Sequence, residues 1–240
     1  MSTPTNLGLD IGTSAVKAVL IDADQSILAS ESAAMDVTRP QPGWSEQDPD
    51  SWISATRQAM AKVKSVQPEA LSRLKGIGLS GHMHGATLIG KDHKPLRPCI
   101  LWNDGRSALE CTELEARADF RGIAGNIVMA GFTAPKLAWV AKHEPDIFEA
   151  TDKVLLPKDY VRLWLTGEFA SDMSDAAGTM WLDVANRKWS PDLLHATGLT
   201  MDHMPGLVEG SATSGNLRDE LCAEWGLHGQ IAVAGGGGDN

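Results

Sequence analysis

The chain has 240 residues, of which 42% are hydrophobic and 22% are charged, as in an ordinary globular protein. This composition excludes wholesale disorder and fibrous repeats. The formal net charge of -10 disfavours binding to the phosphate backbone of a nucleic acid or to an anionic membrane surface, so we expect neither as a partner. The three cysteines form neither an even set nor a CxxC pair, which favours reduced thiols and a cytoplasmic location.

The N-terminal segment predicts three antiparallel strands that are joined by short turns. Residues 7–11 and 15–21 are β-compatible runs, and the hairpin turn 12–14 separates them. A third strand begins at Ile27. Asp48 is then predicted to be the N-cap of a helix, because a proline follows it at the first helical position.

The remainder of the chain alternates short apolar runs with helical patterns. Strands are predicted at residues 77–80, 86–89, 99–102 and 231–234. Helices are predicted at residues 107–118, 135–142 and 158–165. This mixture predicts an α/β domain. We expect one lobe over the whole chain, with a helical subdomain between about residues 105 and 205.

Asp10 and the turn that follows it form the first candidate site. Asp10 ends the first predicted strand, and Gly12, Thr13, Ser14 and Lys17 come directly after it. The N–H groups, hydroxyls and ammonium of such a turn can receive a phosphate, while the carboxylate holds Mg²⁺ directly or through water. The alternative is an ordinary hairpin whose aspartate caps a turn.

The loop 81–85 is the second candidate. Its outer glycines let the backbone approach a ligand, and an imidazole can hydrogen-bond a hydroxyl. His82 and His84 are two apart and could instead ligate a metal, but no third ligand stands at a recognised spacing. A surface loop without a role is the other alternative.

Residues 102–106 are the third candidate, because a strand ends there in an aromatic, an amide, an acid and a guanidinium. An aromatic ring can cover the C–H face of a polyol while polar groups pair with its hydroxyls. An equally good interpretation is an Asp104–Arg106 pair that pins a turn.

The fourth candidate is the end of the sequence, where an apolar run leads into four glycines and then into Asp239 and Asn240. A carboxylate on a glycine-rich loop after a strand lies where α/β sheets place their ligands. Such an aspartate can act as the general base for an attacking hydroxyl. The alternative is a flexible tail.

Together these segments resemble the FGGY family of carbohydrate kinases. The resemblance runs from about residue 7 to the end of the chain, and the motifs follow one another in the order of the family. They lie at residues 9–14, 44–49, 81–85, 102–106, 131–140, 156–160, 165–168 and 174–181. The resemblance implies an actin-like, ribonuclease H-like lobe, in which the opening antiparallel meander belongs to a mixed sheet flanked by helices.

The resemblance also implies roles for particular residues. Asp239 aligns with the catalytic base, and Asp10 with the carboxylate near Mg²⁺ and the γ-phosphate of ATP. The first phosphate loop of the family implies that the nucleotide contacts Gly12, Thr13, Ser14 and Lys17. The sugar-contacting positions correspond to Met83, His84, Trp102, Asp104, Arg106 and Asn240.

The implied reaction is the ATP-dependent phosphorylation of a sugar. The Met-His-Gly form of residues 83–85 favours D-xylulose as the sugar, with D-xylulose 5-phosphate as the product. His82 stands where this resemblance leads us to expect glutamine.

A second lobe that binds the adenine end of ATP is expected outside this sequence. We therefore expect the 240 residues alone to be inactive, and their C-terminal counterpart to be a partner. The alternatives are a catalytically silent sugar-binding or interaction lobe, and a kinase of another sugar or polyol. The oligomeric state stays open, with a homodimer as one alternative.

Overall fold

The computed structural model describes residues 3–239. Its strands are β1 (Thr5–Ile11), β2 (Ala15–Asp22), β3 (Ile27–Ala34), β4 (Glu46–Gln47), β5 (Leu74–Gly81), β6 (Thr87–Ile89), β7 (Cys99–Ile100), β8 (Lys153–Leu155), β9 (Ala170–Asp172), β10 (Leu182–Asp183), β11 (Lys188–Trp189), β12 (Gly206–Val208), β13 (Thr213–Asn216), β14 (Ala232–Ala234) and β15 (Gly237–Gly238).

The helices lie between and around these strands. They are α1 (Pro49–Val66), α2 (Pro68–Leu71), α3 (Ala108–Arg117), α4 (Phe120–Ala124), α5 (Thr133–His143), α6 (Pro145–Ala150), α7 (Pro157–Thr166), α8 (Met173–Ala177), α9 (Pro191–Ala196) and α10 (Asp219–Trp225), with a 3₁₀ turn at Met201–His203. None of the helices in this part of the chain is long and apolar enough to cross a membrane.

The largest sheet is mixed and has the order β13-β14-β5-β1-β2-β3. The predicted meander is confirmed, since β1, β2 and β3 pair antiparallel. β1, β14 and β15 each run parallel to β5, and β15 continues along β5 beyond β14. The carboxyl ends of these parallel strands therefore meet at one edge of the sheet, which is where α/β sheets bind ligands.

Helix α1 covers β2 and β3 with one apolar stripe. Its predicted cap is confirmed, because the Asp48 carboxylate accepts a hydrogen bond from the backbone N–H of Asp50 and Pro49 follows the cap. Trp52, Met60 and Val63 recur on the buried face. The Trp52 indole also donates to the Gln47 side chain at 2.7 Å, which satisfies its buried N–H.

The buried apolar side chains form two clusters. One joins the large sheet to α1, α7 and α10, and the other lies mainly among the segments between β6 and β12. Short strands such as β8 and β9 occur within that second region as well as helices. The helical subdomain near residues 105–205 stays a prediction.

Candidate functional site

A cavity of about 200 Å³ lies at the edge of the sheet where the parallel strands end. Its lining residues come from the segments that follow β1, β5, β7 and β15. They are Thr13, His82, Met83, His84, Trp102 and Asp239. The fold therefore brings together residues from all four candidate segments of the sequence.

Asp10, near the end of β1, does not line this cavity but lies close enough to Asp239 for the two charges to interact. Its Oδ1 atom is buried and has no hydrogen-bond partner among residues 3–239. Burial raises the pKa of Asp10, the negative charge of Asp239 raises it further, and Lys17, which faces Asp10 across the hairpin, opposes both. An unpartnered carboxylate oxygen of this kind suits Mg²⁺, which takes one or two protein carboxylates together with water and phosphate oxygens.

The turn after Asp10 is fixed by contacts from three directions. The Gly12 N–H donates to the Ala15 carbonyl at 3.1 Å, and the Ser14 carbonyl accepts from the Met35 N–H at 2.8 Å. The Thr13 hydroxyl accepts from the Trp102 indole at 3.2 Å. Ser14 and Lys17 remain exposed. A rigid turn with exposed donors matches the expected phosphate contact, which stays a prediction.

The geometry of His84 determines its tautomer. Its Nδ1 atom lies 3.0 Å from the carbonyl oxygen of Gly178, and only an N–H can bond to a carbonyl. Burial lowers the pKa of His84 to about 4, helped by the positive charge of Lys136 and opposed by the Gly178 contact. At neutral pH the ring is therefore uncharged, with Nε2 left as a hydrogen-bond acceptor.

Lys136 supports His84 and was missed by the sequence analysis. Its buried ammonium donates to the carbonyl oxygens of His84 at 2.7 Å and Gly131 at 2.8 Å. His84 has a left-handed backbone with φ of 66°, an uncommon conformation for a residue with a side chain. Burial lowers the pKa of Lys136 to about 7. The available signal was a charged residue within an otherwise apolar stretch of the motif at 131–140.

His82 is only 2% exposed, although it lines the cavity. Neither ring nitrogen has a hydrogen-bond partner in the described part of the chain, and the ring packs edge-to-face on Trp52 at 5.6 Å. Burial, together with Lys136, lowers the pKa of His82 to about 3. No group of three or more metal-ligating side chains occurs within residues 3–239, so the histidine pair gains no support as a metal site there.

The third candidate segment divides into two parts. Trp102 is 48% exposed and lines the cavity, whereas Asp104 and Arg106 are buried and do not. The Asp104 carboxylate accepts from the Arg106 guanidinium at 2.7 Å and from the Ser45 N–H at 2.5 Å. Burial opposes ionisation of Asp104, but these contacts outweigh it and lower its pKa.

The Arg106 side chain is likewise held by contacts within the fold. Its guanidinium forms an ion pair with Glu46 at 2.7 Å and lies over the Trp44 ring, 3.6 Å from the ring centroid. Held by these contacts, Asp104 and Arg106 do not line the cavity, and their role as sugar contacts stays a prediction. The geometry instead matches the interpretation in which this pair pins the turn that presents Trp102.

Asp239 projects from the glycine loop, which is not a loose tail. Its backbone N–H donates to the Gly81 carbonyl at 3.1 Å, directly after β15 pairs with β5. The residue is exposed and lies among the cavity residues. Asn240, the remaining expected sugar contact, lies outside the described residues.

The mixed sheet and the structures that resemble it define the class: an actin-like, ribonuclease H-like sugar kinase lobe, as the family resemblance implied. Comparison with known proteins gives the family. The FGGY family of carbohydrate kinases, N-terminal domain, matches residues 5–240, and the chain belongs to this family.

Similar proteins support the same assignment. The chain is 54% identical to the xylulose kinase of Escherichia coli (strain K12), covering 98% of this chain and 48% of that relative. It is 53% identical to the xylulose kinase of Klebsiella pneumoniae over the same shares. A solved structure described as a xyloylose kinase from Brucella ovis matches with 58% identity and a TM-score of 0.97, covering 98% of this chain and 49% of that one. The chain thus spans about half the length of the relatives it matches.

Proposed function

We propose that the protein containing this chain transfers the γ-phosphoryl group of ATP to the 5-hydroxyl of D-xylulose, giving D-xylulose 5-phosphate and ADP. The observation that carries the proposal is the convergence of Asp239, neutral His84 and exposed Trp102 on one cavity beside Asp10. The choice of sugar is supported by the xylulose kinases that resemble the chain.

Asp239 is assigned as the general base. As the sugar oxygen bonds to the γ-phosphorus and the bond to the ADP oxygen breaks, the hydroxyl proton passes to the Asp239 carboxylate. The Nε2 atom of His84 accepts a hydrogen bond from another sugar hydroxyl, because its tautomer leaves that atom bare. Trp102 and Met83 cover the C–H surface of the sugar.

The phosphate side is formed by Asp10 and the turn at Gly12, Thr13, Ser14 and Lys17. The buried Oδ1 of Asp10 would hold Mg²⁺, directly or through water. When bound, the ion neutralises charge on the phosphates and so favours the transfer. The exposed ammonium of Lys17 and the turn hydroxyls would face the same phosphates.

The adenine end of ATP is assigned to a second half, because the matched relatives are about twice as long as this chain. Closure of the two halves would exclude water from the transfer. A cytoplasmic location is part of the same proposal and is supported by the free cysteines Cys99, Cys111 and Cys222.

The assignment of the base is tested with Asp239→Asn in the protein that carries both halves. We expect kcat for D-xylulose phosphorylation to fall by at least ~10²-fold, the range of general-base catalysis, with little change in either KM. Asp202→Asn, at an exposed aspartate, is the matched control. Activity within tenfold of the unsubstituted protein would exclude Asp239 as the base. A panel of D-xylulose, D-ribulose, D-fructose and glycerol tests the choice of sugar.

A further inference from the structure

A buried ion cluster lies behind the cavity and takes no part in the proposed chemistry. Lys158, Asp159 and Arg162 come from α7, Asp172 ends β9, and Asp175 lies in α8. The side chains of all five are fully buried. The Lys158 ammonium contacts Asp159 at 2.9 Å, Asp172 at 2.6 Å and Asp175 at 3.0 Å.

Arg162 connects this cluster to the loop that carries Asp239. Its guanidinium bonds Asp159 at 3.1 Å, and it donates to the carbonyl oxygens of Ala234 at 2.8 Å and Gly235 at 2.5 Å. Ala234 is the last residue of β14, and Gly235 is the first residue of the glycine loop. A planar guanidinium that bonds several acceptors at once fixes both their distance and their angle.

The glycine loop depends on such external contacts because its side chains offer none. A Cβ at Gly235 would lie 2.3 Å from the Glu209 carbonyl oxygen, and one at Gly236 would lie 2.1 Å from that of Leu79. Four consecutive glycines are also the most flexible backbone available. Backbone packing and the Arg162 contacts must therefore define where the loop, and with it Asp239, is held.

Helix α7 supports the sugar side of the cavity as well. A Cβ at Gly85 would lie 2.5 Å from Pro157, and one at Gly81 would lie 3.1 Å from the Cβ of Lys158, so the start of α7 packs directly on both ends of the loop 81–85. Asp175, another member of the cluster, lies near Gly238: a Cβ at Gly238 would be 3.5 Å from the Oδ1 atom of Asp175. One helix thus contacts the segments that carry His84 and Asp239.

Stability alone is a poor explanation for this cluster. Desolvating two cations and three carboxylates costs several kcal/mol per ion, and apolar replacements of buried ion pairs are often as stable or more stable. Burial raises the pKa of Asp175 to about 7, and the negative charges of Asp159 and Asp172 raise it further, against the opposing charge of Lys158. What an apolar core could not supply is the hydrogen bond by which Arg162 fixes the position and direction of the Gly235 carbonyl.

We propose that Arg162 is a positioning residue for Asp239, and that the buried cluster on α7 sets the separation between the sugar-binding loop 81–85 and the base. The inference rests on the proposed function for its kinetic consequence. Its structural consequence, a rigid glycine loop that depends on Arg162, is independent of which reaction is catalysed.

The kinetic test is Arg162→Lys in the protein that carries both halves. Lysine keeps the charge but loses the planar fork, so we expect kcat to fall at least ~10-fold while both KM values stay within about threefold, as for loss of an interaction made in the transition state. Arg121→Lys, in the exposed pair with Glu115, is the matched control and should leave kcat unchanged. An unchanged kcat in Arg162→Lys, or a loss confined to KM, would overturn the proposal.

A double-mutant cycle tests whether Arg162 acts through Asp239. In the Asp239→Asn background, Arg162→Lys should cause no further loss of kcat, because the base that it positions is already absent. Losses that multiply would show that Arg162 acts by another route, and the proposal would be wrong.

Amide hydrogen exchange on the 240-residue chain separates this inference from the proposed reaction. In the unsubstituted chain we expect the amides of Gly235 and Gly236, which donate to Ala212 and Gly210, to exchange about as slowly as that of Val233 in β14. The amide of Gly229, whose surroundings are open, is the internal control.

Exchange of Gly235 and Gly236 as fast as that of Gly229 would refute a rigid loop even if Arg162→Lys failed to fold. In a folded Arg162→Lys chain, the increase should be confined to this loop, and a uniform increase would contradict the proposal.

Discussion

At the scale of single residues, the site depends on keeping imidazoles neutral. His84 is held uncharged by burial and by Lys136, and its Nδ1–H is committed to Gly178. The remaining nitrogen can therefore only accept a hydrogen bond. This fixed polarity matches a ligand that presents a hydrogen-bond donor, such as the hydroxyl of the proposed sugar, at that point of the cavity.

The role of His84 is tested with His84→Ala in the protein that carries both halves. Loss of one hydrogen bond to a sugar hydroxyl, about 1.4 kcal/mol, should raise KM for D-xylulose roughly tenfold. KM for ATP should not change, because the proposed function assigns His84 to the sugar and not to the nucleotide. His228→Ala, at an exposed histidine, is the control. Steady-state kinetics with an unchanged sugar KM would remove His84 from the sugar site.

His82 gives the chain a measurable sensitivity to acid. Burial lowers the pKa of His82 in the folded state from 6.5 to about 3, so the unfolded chain binds a proton first. Its contribution to stability is present above pH 6.5 and is lost as the pH falls toward about 3. Between about pH 7 and pH 5, the free energy of unfolding should fall by about 2 kcal/mol more in the unsubstituted chain than in His82→Gln, which has no titrating ring. Urea unfolding at both pH values measures this difference, and equal losses would contradict it.

At the scale of elements, local chemistry was readable from the sequence and long-range pairing was not. The hairpin turn at 12–14 and the Asp48 cap rest on neighbouring residues, and the structure confirms both. The short strand β15 could not be predicted, because four glycines carry no periodicity and pair only once β5 is in place. The same limit applied to Lys158, which becomes a core residue through partners more than ten positions away.

The candidate site shows the same division. The sequence placed Asp239, His84 and Trp102 in candidate segments, and the fold brings them to one cavity. The burial of Asp104 and Arg106 away from the cavity could not be predicted, because their partners, Ser45 and Glu46, come from a distant strand segment that no local pattern links to them.

The cap of α1 provides a test at this scale. In Asp48→Ala, the backbone N–H of Asp50 loses its acceptor, so the free energy of unfolding should fall by about 1 kcal/mol. Asp48→Ser keeps an oxygen at the cap and should retain most of the stability. Urea denaturation of the two variants measures the difference. Equal stability of the alanine and serine variants would show that the cap does not stabilise α1.

At the scale of the whole molecule, the charge balance limits how ATP can be held. The chain carries a formal net charge of -10, and two carboxylates, Asp10 and Asp239, lie at the proposed phosphate position. A polyphosphate brought next to them is repelled unless positive charge accompanies it. The exposed Lys17 supplies one such charge, which is far less than ATP carries.

This imbalance predicts a strict requirement for a divalent cation. Removal of Mg²⁺ with excess EDTA should reduce D-xylulose phosphorylation by at least ~10²-fold in the protein that carries both halves, and added Mg²⁺ should restore it. Binding of D-xylulose, measured by calorimetry, should persist in EDTA because none of the proposed sugar contacts involves a metal. Phosphorylation that continued at its normal rate in EDTA would contradict the assignment of Asp10.

Trp102 places a fluorescent side chain in the wall of the cavity. Among the tryptophans of the described residues it is the exposed one, and its indole forms part of the cavity wall through its bond to Thr13. A sugar seated there replaces water against the ring and changes the polarity that the excited indole senses. Binding of a sugar in the cavity is therefore expected to change the ultraviolet fluorescence of Trp102, without any label and without any turnover.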